Sequence, residues 1–597
     1  MTFDLKKYRK LDAGIILVLV TALVFHVLSY FYVKAFYEQN LPHYDSVGSY
    51  TLMFEIMNTY HRDGFMAALG DPSNYFLSWL QWLFAVLGAP LLSATPESLQ
   101  ILNSLALLIF MLSIYFAAKA YGAGTLKAYM IALIVFIPDV FYDWWGGMMD
   151  LRRDFAFFSL LGATFFTFFN YVWLPTKIKA IFLGLLIGLT VFSRDNAIFF
   201  VVFIILPMAI CWFISKVYSK NGNPFKEILS VFLTSMAFIL PWIYFSFNKS
   251  MARRLDPFTA YGGGADRWDS FMAHWEKPFQ LMFGRVGDSP REFEFWTPLT
   301  PLGNYLGGKD LLSYMGHMAG GVKATLPITG GWLVSVGLII LIFNRVGWVN
   351  LKMPKWSKWL WLLAAGIWAL LVTYFMICYV VALKPLDFSS AQIPFFPSLL
   401  LFFSFLFIVG ISIHSSDRLS KAALNVIATM FVASLFVVVV LRLEAKAPEP
   451  TKKYVAIAKQ LTTIFSEGNR GPSIAFIWHD TISYDTLAFY NAQLDKPNKL
   501  EKFRYYFEGN SLDFAVSKPS SVNQVKMLLA MKQQIDANAD YVVVSPKPGV
   551  YNNYSHHFFV FQYGQDLVDT LLNDDRFHQV ISYELWGTPF VVLKRKQ

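Results

Sequence analysis

The chain has 597 residues, of which 56% are hydrophobic, 18% aromatic and only 15% charged, and its mean hydropathy is positive at +0.44. That leaves too little polar surface for a wholly soluble fold of this size, so the composition reads as a polytopic α-helical membrane protein. The formal net charge of +10 does not point to nucleic acid, because the Lys and Arg residues sit in short clusters between apolar runs, where they report topology. Cys211 and Cys378 each lie inside an apolar run, which excludes a disulfide framework and a Cys-based metal site.

In chain order, the basic start MTFDLKKYRK leads into a long apolar run with no small-residue cleavage site after it, so residues 13–33 are expected as a retained first helix. Further spans of about 17 to 25 residues are expected at 99–119, 127–145, 155–174, 178–193, 197–215, 228–247, 328–344, 358–382, 393–413 and 421–441, eleven in all. The run YFLSWLQWLFAVLGAPLLSA, 75–94, is assigned to an interfacial helix with Trp79 and Trp82 at headgroup level. Only then do the basic clusters at 6–10, 119–127, 177–179, 216–226, 345–358 and 418–421 share one cytoplasmic side.

The extracytoplasmic side then receives residues 34–98, the turn 146–154, the tight turn 193–196, the loop 248–327, the segment 383–392 and everything after about 442. Residues 1–445 are expected to form the membrane unit and 446–597 a soluble α/β domain outside it. Strands are expected in SIAFIWH, ADYVVVSP, HQVISYEL and TPFVVLK, and helices in KKYVAIAKQLTTIF and DLVDTLLND. The chain carries no G-x-G-x-x-G, Walker loop or zinc spacing, so no nucleotide cofactor is expected.

Four places carry chemistry. In the first external loop, LPHYDSVGSY sets Asp45 among His43, Tyr44 and Ser46, where an acid is either merely solvated or held for use by its neighbours. The stretch FYDWWGGMMDLRRDFAFF gathers Asp150, Arg152, Arg153 and Asp154; Asp150 and Asp154 would share a helical face if the next helix starts early, and a capping role explains an acid there too. Arg194 in GLTVFSRDN stands between two apolar runs, either neutralised by Asp195 or serving as a bidentate phosphate ligand at headgroup depth. The loop MARRLDPFTAYGGGADRWDSFMAHWEKPF offers His274, Glu276 and aromatic rings that suit sugar faces and hydroxyls, and a folded lid would use the same residues.

These elements in this order resemble the GT-C superfamily of membrane glycosyltransferases, most closely the glycosyltransferase family 39-like branch of protein O-mannosyltransferases and aminoarabinose transferases. The matching residues are Asp45 in HYDSVGSY, Asp150 in MMDLRRDFAFF and Arg194 after the Gly-Leu-rich helix. Two places depart from the family pattern: LGDPSNYF offers Asp71, Asn74 and Tyr75 where relatives often have Lys or Tyr before a proline, and KPLDFSSAQIPFFPSL replaces an Arg-Tyr pair.

The resemblance implies transfer of a sugar from a polyprenyl-phosphate donor to an acceptor hydroxyl on a glycan, lipid or protein, with inversion, in a multi-pass inner-membrane protein whose N-terminus is cytoplasmic. Asp45 would be the base. Asp150 would orient the acceptor or, with Asp45, hold a divalent cation such as Mg, Mn or Ca. Arg194, helped by Arg152 or Arg153, would neutralise the departing phosphate, while Asp154, His43, Tyr44, Tyr75, His274 and Glu276 would be accessory. The partners are membrane lipids, donor and acceptor, with no nucleic acid. A flippase or glycan transporter would want charges inside its spans, which here are nearly charge-free. A non-catalytic scaffold accounts for the layout but gives Asp45, Asp150 and Arg194 no reason to face one surface, and a pyrophosphate-donor polymerase or ligase usually lacks a sizeable C-terminal domain.

Overall fold

The structure, a computed structural model, describes residues 12–41, 44–70, 77–136, 151, 153–173, 176–194, 197, 201, 209, 224–255, 452–466, 473–476, 482, 484–494, 501–502, 532–533, 535–537, 539–547, 564–585 and 587–596. The spans expected at 197–215 and between 328 and 441 lie outside these, apart from single positions.

Helix α1, Ala13–Tyr37, starts at Asp12, whose carboxylate accepts from the Gly14 amide at 3.1 Å. It buries Val18, Ala22, Phe25, Ser29 and Val33 at spacings of three and four, which is one stripe of a helix. The remaining surface is apolar yet open, with Leu23 61% and Phe31 63% exposed. An apolar surface of that extent is unfavourable in water and suits lipid. Ala13–Tyr37 and Pro96–Ala120 are, among the described residues, the two helices long and apolar enough to cross a membrane. The second is made of α5, Pro96–Leu99, and α6, Ile101–Ala120. Lys119, at the end of α6, pairs with Asp12 at 3.6 Å and donates to Thr125 at 3.1 Å. This joins the start of α1 to the end of α6 and the start of α7, Thr125–Ala132.

Helix α8, Arg153–Trp173, packs on α6 and on α9, Lys177–Ser193. Its Gly162 lies so close to Phe110 of α6 that an added Cβ would meet the ring at 2.5 Å. In α9, Gly184 and Gly188 are one turn apart and face α10, Pro224–Leu255; a Cβ there would meet the Val231 carbonyl oxygen and Phe238, each at 2.6 Å. Small residues four apart let helix backbones approach where no hydrophobic force drives them together. Helix α10 runs past the end expected at 247 and continues through Pro241, as membrane helices do when neighbours satisfy the freed carbonyl.

Between α1 and α5 lie three shorter helices: α2, Tyr44–Asp63; α3, Phe65–Leu69; and α4, Trp79–Gly88. With 10 residues α4 is too short to span. Its Trp79 and Trp82 do not face lipid headgroups: they are 1% and 5% exposed and meet edge to face at 5.5 Å inside a protein core. The apolar rings were the right signal for burial, and what buries them is protein.

From Lys452 on, the described residues form a mixed sheet in the order β2-β1-β3-β5-β4. Strands β1, Ser473–Phe476, β2, Glu501–Lys502, and β3, Tyr541–Val544, are parallel neighbours. Strands β4, Phe577–Leu585, and β5, Thr588–Arg595, form an antiparallel hairpin whose turn holds Gly587 at φ 75°. Helices α11, Lys452–Ser466, α12, Tyr484–Asn491, and α13, Gly564–Leu572, accompany the sheet.

Candidate functional site

The described apolar residues fall into two clusters. One lies among α1, α6, α7, α8 and α9. The other joins α2 and α4 to Leu151, Phe192 and the buried residues of α11, α12 and the sheet. Val47 stands two residues after Asp45, Leu151 one after Asp150 and Phe192 two before Arg194, and all three belong to that second cluster. A near neighbour of each of the three segments singled out in the sequence therefore belongs to the same apolar cluster.

Helix α2 builds the first of these segments. Val47, Tyr50, Phe54 and Met57 repeat at helical spacing and are fully or almost fully buried. Asp45 lies in the first turn of this helix, where a carboxylate also favours the helix dipole. Tyr50 accepts a hydrogen bond at 2.8 Å from Nε2 of Gln100. The carbonyl of Gln100 accepts from Ser104 Oγ at 3.1 Å, and that hydroxyl lies 2.9 Å from Nδ1 of His26 within α1. A polar chain thus runs from the first span to the helix bearing Asp45.

The second segment is held by α4. Ser78 and Gln81 form a capping box at its start, and Nε2 of Gln81 donates to the Leu151 carbonyl at 2.7 Å. Leu151 is not helical and α8 begins at Arg153. The helix thus begins two residues before the start expected at 155, and residue 150 lies outside the described residues.

Arg194 caps the C-terminal end of α9 in extended conformation, φ −157° and ψ 137°. Its guanidinium carbon stands 5.9 Å from the centre of the Phe157 ring, one turn into α8, a cation over an aromatic face. Below it Thr190 and Thr164 tie α9 to α8 through hydroxyls 2.9 Å apart. Arg194 thus lies against the second turn of α8, which begins at Arg153.

The side chains of Tyr44, Asp45, Arg153 and Asp154 are not among those described, and His43, Tyr75, Asp150, Arg152, His274 and Glu276 lie outside the described residues altogether. Among the described residues no three His, Cys, Asp or Glu come together in a way that could hold a metal ion.

Four residues of this region escaped the sequence reading: His26, Gln81, Gln100 and Phe489. The first three left a faint signal, a polar residue within an apolar stretch. Phe489, against which Tyr37, Tyr50 and Phe54 pack, left none, because its partners are more than 400 positions away.

No protein-family model matches the chain, and no curated protein matches it. Among solved structures, the chain is similar to the apo crystal structure of ArnT from Cupriavidus metallidurans, with 11% sequence identity and a TM-score of 0.46 over 96% of this chain and 97% of that one. It is also similar to the apo crystal structure of the Archaeoglobus fulgidus oligosaccharyltransferase, with 13% identity and a TM-score of 0.45 over 97% of this chain and 74% of that one.

Proposed function

We propose that the protein is an integral membrane glycosyltransferase that moves a sugar from a polyprenyl-phosphate donor to an acceptor hydroxyl on the extracytoplasmic face. The observation that carries this reading is the convergence of the Asp45, Leu151 and Arg194 segments on one cluster. Charged segments that only mark the ends of spans have no reason to border one shared core.

In this reading the Asp45 carboxylate removes the proton of the acceptor hydroxyl as its oxygen attacks the anomeric carbon. The bond from that carbon to the phosphate oxygen breaks with its electron pair going to the phosphate, and the configuration inverts. Arg194 receives the charge that develops on the leaving phosphate through bidentate hydrogen bonds. Polyprenyl phosphate leaves, and the proton on Asp45 returns to solvent. Asp150 orients the acceptor, or with Asp45 holds a divalent cation.

Support for the orientation comes from the two ends of α1. Its start meets the Lys119 region, expected to be cytoplasmic, and its end, at Tyr37, meets Phe489 of the C-terminal segment.

The test is release of polyprenyl phosphate from a panel of polyprenyl-phosphate sugars by purified protein in nanodiscs, with envelope extract as acceptor. Wild type releases the lipid from one donor and Asp45→Asn, expressed and folded, does not. Folded wild type that releases nothing from any donor, or Asp45→Asn that keeps full rate, overturns the reading.

A further inference from the structure

The side-chain amide of Gln81 has two separate jobs. Its Oε1 accepts from the Ser78 amide at 3.2 Å and from Ser78 Oγ at 3.0 Å, while Ser78 Oγ accepts from the Gln81 amide at 3.2 Å. That reciprocal pair closes the start of α4, and it requires nothing of Nε2. Nε2 nonetheless makes the shortest bond of the group, 2.7 Å to the carbonyl of Leu151, 70 residues further along the chain. Both residues are sealed from solvent, Gln81 at 2% and Leu151 at 1% exposure, so water cannot replace either partner.

The placement of that bond matters more than its strength. Leu151 stands immediately after residue 150 and two before Arg153, where α8 begins. Helix α4 is itself fixed: Trp79 and Trp82 are buried in the cluster that also contains Leu151 and Phe192, and α4 packs on α9, which ends at Arg194. A shift of the Leu151 backbone relative to Arg194 therefore has to break the amide bond or uproot α4.

We infer that Gln81 is a positioning residue for the transfer reaction, holding the backbone at Leu151, just ahead of α8, in place relative to the end of α9 at Arg194. It touches neither sugar nor phosphate. The inference rests on the glycosyltransferase reading above, and its structural half is tested independently of any activity.

The experiment compares full-length wild type, Gln81→Met and Ser78→Ala in nanodiscs. Methionine keeps the length of the side chain and suits an apolar site, yet donates nothing; Ser78→Ala weakens the capping box and leaves Nε2 in place. Hydrogen exchange of the peptide covering residues 151–158 is expected to speed up in Gln81→Met and to stay as in wild type in Ser78→Ala. With the donor found active, kcat of Gln81→Met is expected to fall about 10- to 100-fold, the scale of a small misplacement of reacting groups, with the donor KM little changed, while Ser78→Ala keeps wild-type kcat.

Unchanged exchange in Gln81→Met, or equal acceleration in both variants, overturns the clamp. Faster exchange with unchanged kcat overturns the positioning role. If wild type releases no polyprenyl phosphate the transferase reading falls, and the exchange result still decides the clamp. If Gln81→Met does not accumulate, Gln81→Asn, too short to reach Leu151, serves in its place.

Discussion

The ring of Phe489, in α12, stands 5.9 Å from that of Tyr50, in α2, at an angle of 71°. Phe54 lies 5.7 Å and Tyr37 5.9 Å from the same ring, and Asn58 donates to the Ala492 carbonyl at 3.1 Å. Edge-to-face and tilted contacts at these separations are favourable beyond the area they bury. Helix α2, whose first turn contains Asp45, is thus gripped on one side by Gln100 and on the other by the C-terminal segment. The described residues after 446 therefore pack directly on the helix that carries Asp45.

Phe489→Ala is accordingly expected to cost about 3–5 kcal/mol, the usual range for a buried phenylalanine, because the cavity opens among Tyr37, Tyr50 and Phe54. Thermal unfolding in detergent micelles reads this as a fall in Tm of several degrees. Leu494→Ala, at a position 40% exposed, is expected to change little. Equal effects from both would mean that the grip on α2 contributes nothing.

The approach of α9 to α10 makes a second prediction. Gly188→Leu places four carbons where even a Cβ would meet Phe238 at 2.6 Å, so the helices must separate. Overpacking of this kind costs about 1–3 kcal/mol, and Arg194 moves with the end of α9. Lowered thermal stability together with loss of transfer is expected; a stable, fully active Gly188→Leu would show that α9 tolerates displacement.

A third concerns the cation. Arg194→Lys retains the charge and loses the planar fork that meets two phosphate oxygens at once. The release rate of polyprenyl phosphate should fall by about 10²–10³-fold, the scale for one lost donor at a developing oxyanion, while the folded yield is kept. A rate close to wild type would assign Arg194 to anchoring against Phe157 alone.

Local patterns were legible in the sequence and partnerships were not. The short continuous apolar, β-branched runs in ADYVVVSP and TPFVVLK announced β3 and β5, and the apolar spacing of KKYVAIAKQLTTIF announced α11, because each signal lies within its own segment. Strand β2 is Glu501–Lys502, two residues without a period, and only its pairing with β1 makes it a strand. Trp79 and Trp82 read correctly as a short helix and wrongly as a headgroup anchor, since hydrophobicity does not say whether lipid or protein covers a ring. At the site, Arg194 stood out because a charge between two apolar runs is costly. Gln81 did not, because nothing near it in sequence hints at Leu151.

The last prediction concerns acid. Between α13 and β4, the Arg576 guanidinium makes bonds of 2.9 and 2.6 Å to the two carboxylate oxygens of Asp574 and reaches Asp536 at 2.7 Å. The hydrogen bond from Arg576 is the main reason the Asp574 carboxyl is held down to about 2, against an ordinary 3.8. A carboxyl more acidic in the folded state than in the unfolded one stabilises the fold at pH values above its unfolded pKa. That contribution fades as pH falls through the window between the two values, where the unfolded chain takes up the proton first. Asp574→Asn removes the charge at every pH. The Tm difference between wild type and Asp574→Asn should therefore be constant from neutral pH down to about 4 and close as pH approaches about 2. Arg576 is about half exposed, at 49%, so added salt should shrink the neutral-pH difference as well. A difference that stays the same across the acid window would mean that the pair holds the turn by shape alone.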